Sequence, residues 1–384
     1  MPNAGAMAKS KQVKIIGGGI AGMSAAIAFA MRGLSTHLQE QAPAITEVGA
    51  GLQISPNGVA VLDALGLADE IRAKGMPVQA VELIDGLTGR LVARLPMDAG
   101  PRPYLALHRA DLIEILANRA TDLGAQLHLA EQVTPNDVGR FDGLVVGADG
   151  LHSTLRPLLN ENGAAEFTGQ VAWRAVIRTD QKASQTVARV YMAPGQHVVT
   201  YDLRDGSYRN IVAVHEQAAW LDEGWSRKGE VPELKGLFGA MCSDVQRDLD
   251  RVMTVFQWGL FRHPIAKHWQ DGQRLCLIGD AAHPTLPFLG QGANMALEDA
   301  WVLASMLDER GCPDGLAAFQ DLRKPRVTRA INAANANARN YHLRNSVLRS
   351  AAHAGLGILS RLPGNYVSRR FDWLYGHDVT VRSS

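Results

Sequence analysis

The chain has 384 residues, of which 46% are hydrophobic and 20% are charged, a composition typical of a globular protein with two packed domains. Its 39 Lys and Arg residues balance its 38 Asp and Glu residues, which argues against nucleic acid or an anionic membrane as the main partner. No apolar run reaches the roughly 18 residues that a membrane span needs. The 3 cysteines are widely spaced and no HExxH motif occurs, so a disulfide framework and a metal site are not expected, and a reducing cytoplasm is favoured.

The first predicted elements form a βαβ unit around a glycine motif. A short apolar strand leads into GGGIAG at Gly17–Gly22, an Ala-rich helix follows, and a second strand ends at Glu40. In such a unit Gly17 permits the tight turn, Gly19 lets the backbone approach a pyrophosphate, and Gly22 lets the helix pack on the strand. The helix N-terminus favours phosphate, and a carboxylate at position 40 can bind a ribose. The unit therefore predicts dinucleotide binding, whereas a glycine-rich turn without a ligand would leave the position of Glu40 unexplained.

The next segment predicts a loop, two helices and a hairpin. Gly49–Gly58 is a glycine-rich loop, Val59–Leu67 favours a helix, and Val81–Leu95 predicts a hairpin. His108–Gly124 is amphipathic and ends in glycine, which predicts a second helix. These elements continue an α/β pattern.

A second motif follows a predicted strand at Gly143–Val146. There Asp149 lies between an alanine and a glycine, and Ser153 and Arg156 come about one helical turn further on. The pattern is compatible with a phosphate-binding turn. It is equally compatible with a helix start that Asp149 or Ser153 caps, so both interpretations stay open at this point.

The middle of the chain predicts an inserted sheet. From about Gly169 to Trp258, β-rich runs such as VAWRAVI and HVVTYDL alternate with turns, and Leu275–Ile278 is a further buried strand before a largely helical end. The predicted fold is therefore α/β: a Rossmann-like domain, an inserted mostly antiparallel β-sheet domain for the substrate, and a helical C-terminal region. The Rossmann-like domain is assigned to 11–75, 105–168 and 273–322, the inserted sheet to 76–104 and 169–272, and the helical region, which is also the candidate for a homodimer contact, to 323–384.

A third motif runs from GDAAHP to GQGAN. Asp280, at the end of the predicted strand, is placed to accept hydrogen bonds from the hydroxyls of a polyol. Gly290–Asn294 offers backbone N–H groups at the start of the next helix, which suits the edge of a flavin that is negatively charged when reduced. Glu298 and Asp299 are predicted to be ordinary acids of the first helical turn.

The three motifs, in this order and spacing, resemble those of the class A FAD-dependent aromatic hydroxylases, the superfamily of p-hydroxybenzoate hydroxylase. The runs GAGLQISPNG, LHRADL, VAWRAVI, HVVTYDL and GQGANMALEDA are similar to its salicylate hydroxylase and 3-hydroxybenzoate 6-hydroxylase branch, and the similarity extends from Lys11 to about Tyr375. The resemblance implies that the chain binds FAD, oxidises NADH or NADPH, and uses O2 to hydroxylate a small phenolic acid through a flavin C4a-hydroperoxide. Because only one GxGxxG is present, the nicotinamide cofactor is expected to bind transiently near the flavin.

The resemblance also implies the cofactor contacts. Arg109 and Asp149 match residues that contact FAD, and Asp280 matches the ribityl-binding aspartate. Without the resemblance, Arg109 would be an ordinary helix residue paired with a neighbouring acid. Pro287 stands where the 3-hydroxybenzoate enzymes carry glutamine, so it favours a salicylate-like or other substrate. The full set expected to bind the cofactor is Gly17, Gly19, Ile20, Ala21, Gly22, Glu40, Gln41, Gln53, Arg109, Asp149, Asp280, Pro287, Gly290, Gln291, Gly292, Ala293 and Asn294.

His197 and Tyr201 are the predicted catalytic residues. Electrophilic attack is faster on a phenolate than on a phenol, so a base with a pKa near neutrality that binds the substrate hydroxyl raises the rate. The two residues are four apart on a predicted strand and therefore share one face. In the 3-hydroxybenzoate branch the equivalent residues line the substrate pocket. The alternative is that His197 merely caps a strand after a turn.

Other histidines and arginines carry weaker signals. His283 is a secondary candidate for contact with the flavin, although a structural role is expected. His215 and His263 are predicted to be partly exposed residues of the sheet. A substrate carboxylate calls for an arginine, and the sequence does not choose among Arg174, Arg178 and Arg204.

Three other functions stay open at this point. A flavin oxidase, dehydrogenase or epoxidase acting on a non-phenolic substrate would keep the fold and change the chemistry. A non-catalytic flavoprotein would not need His197 and Tyr201 on one strand face. An NAD-dependent dehydrogenase would leave the second and third motifs without a role, whereas an aromatic hydroxylase uses all three.

Overall fold

The structure is a computed structural model that describes residues 12–45, 50–97, 100–161, 163–220, 227–361 and 370–381, with the backbone alone at 337–340 and 361. Its strands are β1 (Gln12–Ile16), β2 (Ser35–Glu40), β3 (Gly51–Ile54), β4 (Met76–Asp85), β5 (Leu91–Pro96), β6 (Leu105–His108), β7 (Gln126–Leu129), β8 (Leu144–Gly147), β9 (Glu166–Arg178), β10 (Thr186–Ala193), β11 (Gln196–Leu203), β12 (Tyr208–Glu216), β13 (Arg227–Gly229), β14 (Val255–Arg262) and β15 (Leu275–Leu277). Its α-helices are α1 (Ile20–Ala30), α2 (Pro56–Ala64), α3 (Ala68–Lys74), α4 (Arg109–Asp122), α5 (Pro135–Val138), α6 (Val231–Leu237), α7 (Ser243–Asp250), α8 (Gly292–Arg310), α9 (Asp314–Tyr341), α10 (Ser346–Arg361) and α11 (Asp372–Tyr375). Within the described ranges, no helix is long and apolar enough to cross a membrane.

A parallel five-stranded sheet forms one layer. Its order is β15-β8-β1-β2-β7, and all neighbouring strands are parallel. The apolar side chains of β1, such as Val13 and Ile15, are buried, as expected for a central strand of a covered parallel sheet. Helix α1 follows β1 directly and packs against α4 and α8. This layer has the Rossmann-like arrangement that the glycine motif predicts.

A mixed ten-stranded sheet forms the second layer. Nine of its strands follow the order β13-β14-β9-β12-β11-β10-β4-β6-β3, and β5 pairs with β4. Strands β4 and β10 are parallel, and the other described pairs are antiparallel. The predicted α/β fold with an inserted, mostly antiparallel sheet and a helical C-terminal region is confirmed.

The two faces of the large sheet have different partners. On β9, Trp173 is buried in a cluster with Phe238, whereas its neighbour Ala172 belongs to a cluster with Leu286 and Phe288. This difference arises because successive residues of a strand point to opposite faces. Since Leu286 and Phe288 lie in the segment between β15 and α8, one face of the large sheet covers the carboxyl edge of the parallel sheet.

Helix α9 ties the C-terminal region to the Rossmann-like layer. It is continuous, so it spans the predicted boundary between 322 and 323. Arg323 in α9 is fully buried and donates hydrogen bonds to Glu298 and Asp299 of α8 at 2.5 and 2.7 Å. The prediction that these two acids are ordinary first-turn residues is wrong. Since α8 begins at Gly292, both acids fall in its second turn, on the face that α9 covers.

Candidate active site

The motif between β1 and α1 forms a turn that requires glycine. Gly17 has a φ of +108°, and a Cβ there would lie 2.3 Å from the carbonyl oxygen of Ala148. A Cβ at Gly22 would lie 1.9 Å from the carbonyl oxygen of Gly17. A Cβ at Gly19, in contrast, would meet no atom of the described residues within 4 Å, so open space lies in front of the N-terminus of α1. This space fits a pyrophosphate, because the free N–H groups and the helix dipole favour negative charge there.

Glu40 lies beside this turn at the end of β2. Its Oε2 accepts a hydrogen bond from the Gly18 N–H at 2.6 Å, and its Oε1 accepts one from the Ala42 N–H at 2.8 Å. Two backbone donors therefore hold the carboxylate next to the glycine motif. Gln41, the neighbouring predicted contact, is exposed. Contact of either residue with FAD stays a prediction.

Asp149 combines the two interpretations that the sequence left open. Its Oδ2 accepts hydrogen bonds from the N–H groups of Thr154 and Leu155 at 2.7 and 3.2 Å, so the carboxylate caps the following turn. Its Oδ1 is buried, and no described residue donates a hydrogen bond to it. A buried carboxylate oxygen normally has a donor. Because the Cα of Asp149 would lie 2.9 Å from a Cβ at Gly17, this oxygen is placed to meet a ligand at the glycine turn.

Asp280 follows β15, at the carboxyl end of the parallel sheet. Desolvation raises the pKa of its carboxyl, although His283 and Arg109 nearby favour the charged form. Arg109 begins α4, and its backbone N–H donates to the carbonyl of Ala50 at 2.8 Å. A half-buried carboxyl of this kind gains from hydroxyl donors, and the adjacent guanidinium suits a phosphate. The pair therefore fits the cofactor-binding role expected for both residues.

Residues 287–294, which we name the flavin loop, are held against β3. The Oδ1 of buried Asn294 accepts the Ser55 N–H at 3.0 Å, and its Nδ2 donates to the carbonyls of Gln53 and Gly290 at 3.1 and 2.8 Å. Gly290 has a φ of +61°, which ends the 3₁₀ turn Pro287–Leu289. These bonds fix the start of α8, where the predicted N–H groups for the flavin lie.

A buried polar network supports the flavin loop. Gln291 donates to the Ser55 hydroxyl at 2.9 Å and accepts a hydrogen bond from Asn57 at 3.2 Å. Asn57 also donates to Glu298 at 2.7 Å. Although desolvation opposes it, the positive charge of Arg323 keeps the pKa of Glu298 below its ordinary value. The network thus connects the flavin loop to α9 through a buried ion pair.

His283 belongs to this network. Its Nε2 lies 2.5 Å from the Oδ2 of Asp299, and its ring centroid lies 4.9 Å from that of Trp269. Although desolvation opposes them, His283 and Arg323 lower the pKa of Asp299 to about 2. His283 therefore has the structural role that was expected of it.

The predicted base His197 lies on β11 and is only 2% exposed. Its ring centroid is 6.0 Å from that of Phe288 in the flavin loop and 5.3 Å from that of Tyr341 in α9. Its Nδ1 lies 2.6 Å from the Nε2 of His342. Desolvation lowers the pKa of His197 well below its ordinary value, and His342 lowers it further. The near-neutral pKa that was expected for this base is therefore wrong. The ring is therefore a neutral, buried acceptor beside the flavin loop.

Tyr201 lies on the same face of β11 and belongs to a group of four tyrosines. It packs with Tyr104 and against Gly51, where a Cβ would lie 2.7 Å from the Tyr201 ring. Tyr104 lies near Tyr341 and Tyr375, and burial raises the pKa of all four hydroxyls. We name Tyr104, Tyr201, Tyr341 and Tyr375 the tyrosine cluster. It places aromatic rings between β11, β6 and the C-terminal helices.

Sequence reasoning missed His342 and three of the four tyrosines. His342 is 145 residues from His197 in the chain, and no motif contains it. These residues meet only when α9 and α11 pack on the sheet. For Tyr341 and Tyr375 the sole signal was the presence of aromatic residues near the C-terminal end, and Tyr104 had none.

The three arginines that could bind a substrate carboxylate lie at different places in the fold. Arg174 on β9 lies over the ring of Trp258 at 5.2 Å, and Trp258 belongs to the cluster that faces the flavin loop. Arg204 instead forms a bidentate pair with Asp111 at 2.5 and 2.9 Å, and Arg178 is exposed. Arg174 is thus the candidate that lies on the flavin side of the sheet.

His215 differs from its prediction. The residue is 8% exposed, and its Nδ1 accepts a hydrogen bond from the indole N–H of Trp173 at 3.2 Å. The prediction that His215 is partly exposed is therefore wrong. The reason is that β12 is an interior strand whose face is covered by the cluster around Phe238. His263 is half-buried, as predicted, but it follows the end of β14 at Arg262 and is not a residue of the sheet.

A cavity lies between the large sheet and the flavin loop. Trp258 and Leu260 of β14 line one side, and Asp280, Leu286 and Pro287 line the other. Apolar walls with a few polar groups are typical of sites for small ligands. The cavity therefore brings two predicted cofactor contacts to the face of the sheet that carries Arg174.

Comparison with known proteins agrees with this architecture. A family model described as FAD binding domain matches residues 10–139 and 143–334. The chain is 34% identical over 356 residues to the 3-amino-4-hydroxybenzoate 2-monooxygenase of Streptomyces cremeus, with 86% of this chain and 88% of that protein covered. It is 31% identical over 395 residues to the 3-hydroxybenzoate 6-hydroxylase of Polaromonas naphthalenivorans strain CJ2, with 96% of each covered.

A solved salicylate hydroxylase substrate complex has a similar fold. The TM-score is 0.78 at 22% identity, with 96% of both chains covered. The glycine turn, the third motif and the two-layer architecture thus agree with the sequence matches, and the chain belongs to the FAD-binding domain family, among the FAD-dependent aromatic monooxygenases.

Proposed function

We propose that this monooxygenase hydroxylates a small phenolic acid and that His197 is the base that takes the phenol proton. The observation that carries the proposal is the position of His197, a buried imidazole whose centroid lies 6.0 Å from that of Phe288 in the flavin loop. When bound, FAD reduced by NADH or NADPH supplies an electrophilic oxygen atom from O2. The chain itself has to hold the ring, take the proton and exclude water.

The cofactor would be held at the carboxyl edge of the parallel sheet. We assign the pyrophosphate to Gly17–Gly22 and Asp149, a ribose to Glu40, the ribityl chain to Asp280, and the isoalloxazine to the flavin loop. Two observations support this assignment: the open space at Gly19 and the buried Oδ1 of Asp149, which accepts no hydrogen bond from the described residues.

The substrate class is supported by the residues around His197. The tyrosine cluster offers ring faces and edges to an aromatic ring, and the guanidinium of Arg174 suits a carboxylate. Both relatives compared above are named for hydroxybenzoates, which carry a phenol and a carboxylate. Pro287 favours a hydroxybenzoate other than the 3-hydroxy isomer.

Proton transfer to His197 makes the ring of the substrate a better nucleophile. The phenol O–H bond would break as an N–H bond forms at Nε2, because Nδ1 is engaged with His342. General base catalysis of this kind contributes about 100-fold or more to the rate. The surrounding aromatic rings of Phe288 and Tyr341 keep bulk water from competing for the proton.

The test is oxidation of NADH and NADPH by the FAD-loaded enzyme with salicylate, 3-hydroxybenzoate and 3-amino-4-hydroxybenzoate, with H2O2 measured alongside. At least one acid should stimulate oxidation and gain one oxygen atom. If every acid yields only H2O2, the protein is an oxidase and the proposal fails.

A substitution tests the base. His197→Gln should retain FAD, lose about 100-fold in product formation and release H2O2 instead. His353→Gln is a matched control, because His353 is also a buried histidine, its Nδ1 lies 3.3 Å from Asp85 at the end of β4, and its helix α10 packs on β5. An unchanged product yield in His197→Gln would remove His197 from the reaction.

We further propose that the protein acts in the cytoplasm. Cys242, Cys276 and Cys312 are all free thiols, and two of them are buried. Free thiols suit a reducing compartment.

A further inference from the structure

His197 is the inner end of a chain of polar groups that leads to the surface. The Nδ1 of His197 lies 2.6 Å from the Nε2 of His342, and the Nδ1 of His342 lies 3.2 Å from the Oε1 of Glu216. The side chain of His342 is 3% exposed and that of Glu216 is 32% exposed, so exposure rises outward. Arg344 donates to the other oxygen of Glu216 at 2.6 Å. The four residues connect the proposed base to solvent.

The outer end of this chain opens into a surface cavity of about 640 Å³. Gln170, Glu216, His342 and Arg344 line it, and none of the residues that line the cavity at the flavin loop does so. An open surface cavity of this size, with Glu216 and Arg344 in its lining, holds water. Glu216, whose side chain is 32% exposed, can therefore exchange a proton with solvent at a surface separate from the cavity at the flavin loop.

The backbone of the turn at Gly195 holds His342 and Glu216 together. The N–H of Gly195 donates to the carbonyl of His342 at 3.3 Å, and the carbonyl of Gly195 accepts the N–H of Glu216 at 2.9 Å. Gly195 has a φ of +67°, and a Cβ there would lie 3.0 Å from the Nη2 of Arg344. The turn between β10 and β11, the end of β12 and the end of α9 are thus fixed at the same point.

The chemistry of the groups sets the direction of the hydrogen bonds. A carboxylate only accepts, so the Nδ1 of His342 carries the hydrogen that faces Glu216. The Nε2 of His342 then accepts from the Nδ1–H of His197, which leaves the Nε2 of His197 without a proton, as a base requires. The amide nitrogen of Gln170 lies 3.2 Å from the same Nδ1, and because an amide nitrogen only donates, the hydrogen bond from Nδ1 to Glu216 requires the Gln170 amide to turn its oxygen toward the ring.

We propose that His342 and Glu216 carry the substrate proton from His197 to the surface cavity, an inference that rests on the proposed role of His197. The phenol O–H bond breaks and an N–H bond forms at the Nε2 of His197. The Nδ1 proton of His197 passes to the Nε2 of His342, and the Nδ1 proton of His342 passes to Glu216, which releases it to water. Only protons move, so no oxidant or reductant is involved. His342 and Glu216 act through His197 and are positioning residues.

The burial of His197 and His342 explains why the substrate proton needs a path to the surface. Desolvation lowers the pKa of His342, Glu216 opposes this effect, and Arg344 and His215 reinforce it. His197 is more deeply buried, so neither ring holds a positive charge well. Among the charged and titratable groups that face His342, namely His197, His215, Glu216 and Arg344, Glu216 is the one that attracts a proton outward.

Proton release on substrate binding tests the path. The FAD-loaded enzyme is mixed rapidly with salicylate or 3-hydroxybenzoate in weak buffer with an indicator dye. Glu216→Gln and His342→Ala should slow proton release by about 100-fold while FAD content and acid affinity stay within about twofold. Formate should restore release in Glu216→Gln and imidazole should restore it in His342→Ala, because the open cavity admits both. His353→Gln should release protons at the wild-type rate.

The outcomes separate the two proposals. If the wild type releases no proton with either acid, the role of His197 fails and the path fails with it. If His197→Gln abolishes release while Glu216→Gln and His342→Ala keep the wild-type rate, the path alone is overturned. Slow release that neither formate nor imidazole restores shows a purely structural role and also overturns it. His342→Gln, which keeps most of the side-chain volume, replaces His342→Ala if that variant loses its flavin.

Discussion

Replacement of Arg323 by methionine should strongly destabilise the protein. Arg323 is 1% exposed and donates to Glu298 at 2.5 Å, to Asp299 at 2.7 Å and to the carbonyl of Met295 at 3.3 Å. Methionine fills much of the same space, so Arg323→Met removes the charge without a large cavity. Two buried carboxylates then lose a cation.

The size of the effect follows from the partners that remain. Removal of one partner of a buried ion pair costs about 3–5 kcal/mol. Glu298 keeps Arg326 at 2.7 Å, and Asp299 keeps His283 at 2.5 Å. Because neither carboxylate is left alone, we expect a loss of about 3–4 kcal/mol in the free energy of unfolding, not twice that value. Flavin content should fall as well, since Glu298 anchors the network behind the flavin loop.

Urea and thermal unfolding, followed by tryptophan fluorescence and flavin release, measure this loss. Arg329→Met is the control, because Arg329 is exposed on the same helix and lies over the Trp373 ring at 3.8 Å, a contact worth about 0.5–1 kcal/mol. Adding Glu298→Gln and Asp299→Asn to Arg323→Met should recover part of the stability, because both buried carboxylates are then neutral, and the recovery is only partial because Arg326 loses Glu298 and keeps only the carbonyls of Trp373 and Leu374. Equal stability of Arg323→Met and Arg329→Met would refute the reasoning.

Three further predictions concern the cofactor site and pH. Asp280→Ala should purify with little flavin, because its carboxyl is assigned to the ribityl hydroxyls, and a fully yellow variant would contradict the assignment. Gly22→Ala places a Cβ 1.9 Å from the carbonyl oxygen of Gly17, so flavin content and folded yield should fall, whereas Gly139→Ala, with no described atom within 4 Å, should lose neither. The pKa of Asp299 is lowered from 3.8 to about 2, so its ionised form contributes about 2 kcal/mol that is present above about pH 4 and lost as the pH falls through 2. Asp299→Asn should therefore flatten the acid dependence of the melting temperature, and an equally steep dependence in the variant would count against the ion pair.

The sequence by itself determined those features whose residues lie close together along the chain. The glycine turn at Gly17–Gly22 can be predicted from the sequence. A Cβ at Gly22 would lie 1.9 Å from a carbonyl oxygen, so only glycine, which has no Cβ, fits there. The strand, turn and helix around it, and the similar arrangement at Asp280, lie within a few residues of each other. The alternation of apolar residues likewise predicted the inserted sheet and the shared face of His197 and Tyr201.

Only the tertiary structure decided what depends on burial and on distant contacts. His342 reaches His197 across 145 residues because α9 packs on the sheet, and no local pattern encodes that approach. The same packing buries Glu298 and Asp299 against Arg323, although their spacing on α8 resembles that of solvent-facing acids. Desolvation then sets the pKa values, so the chemistry of His197 depends on which helices cover it and not on its neighbours in the sequence.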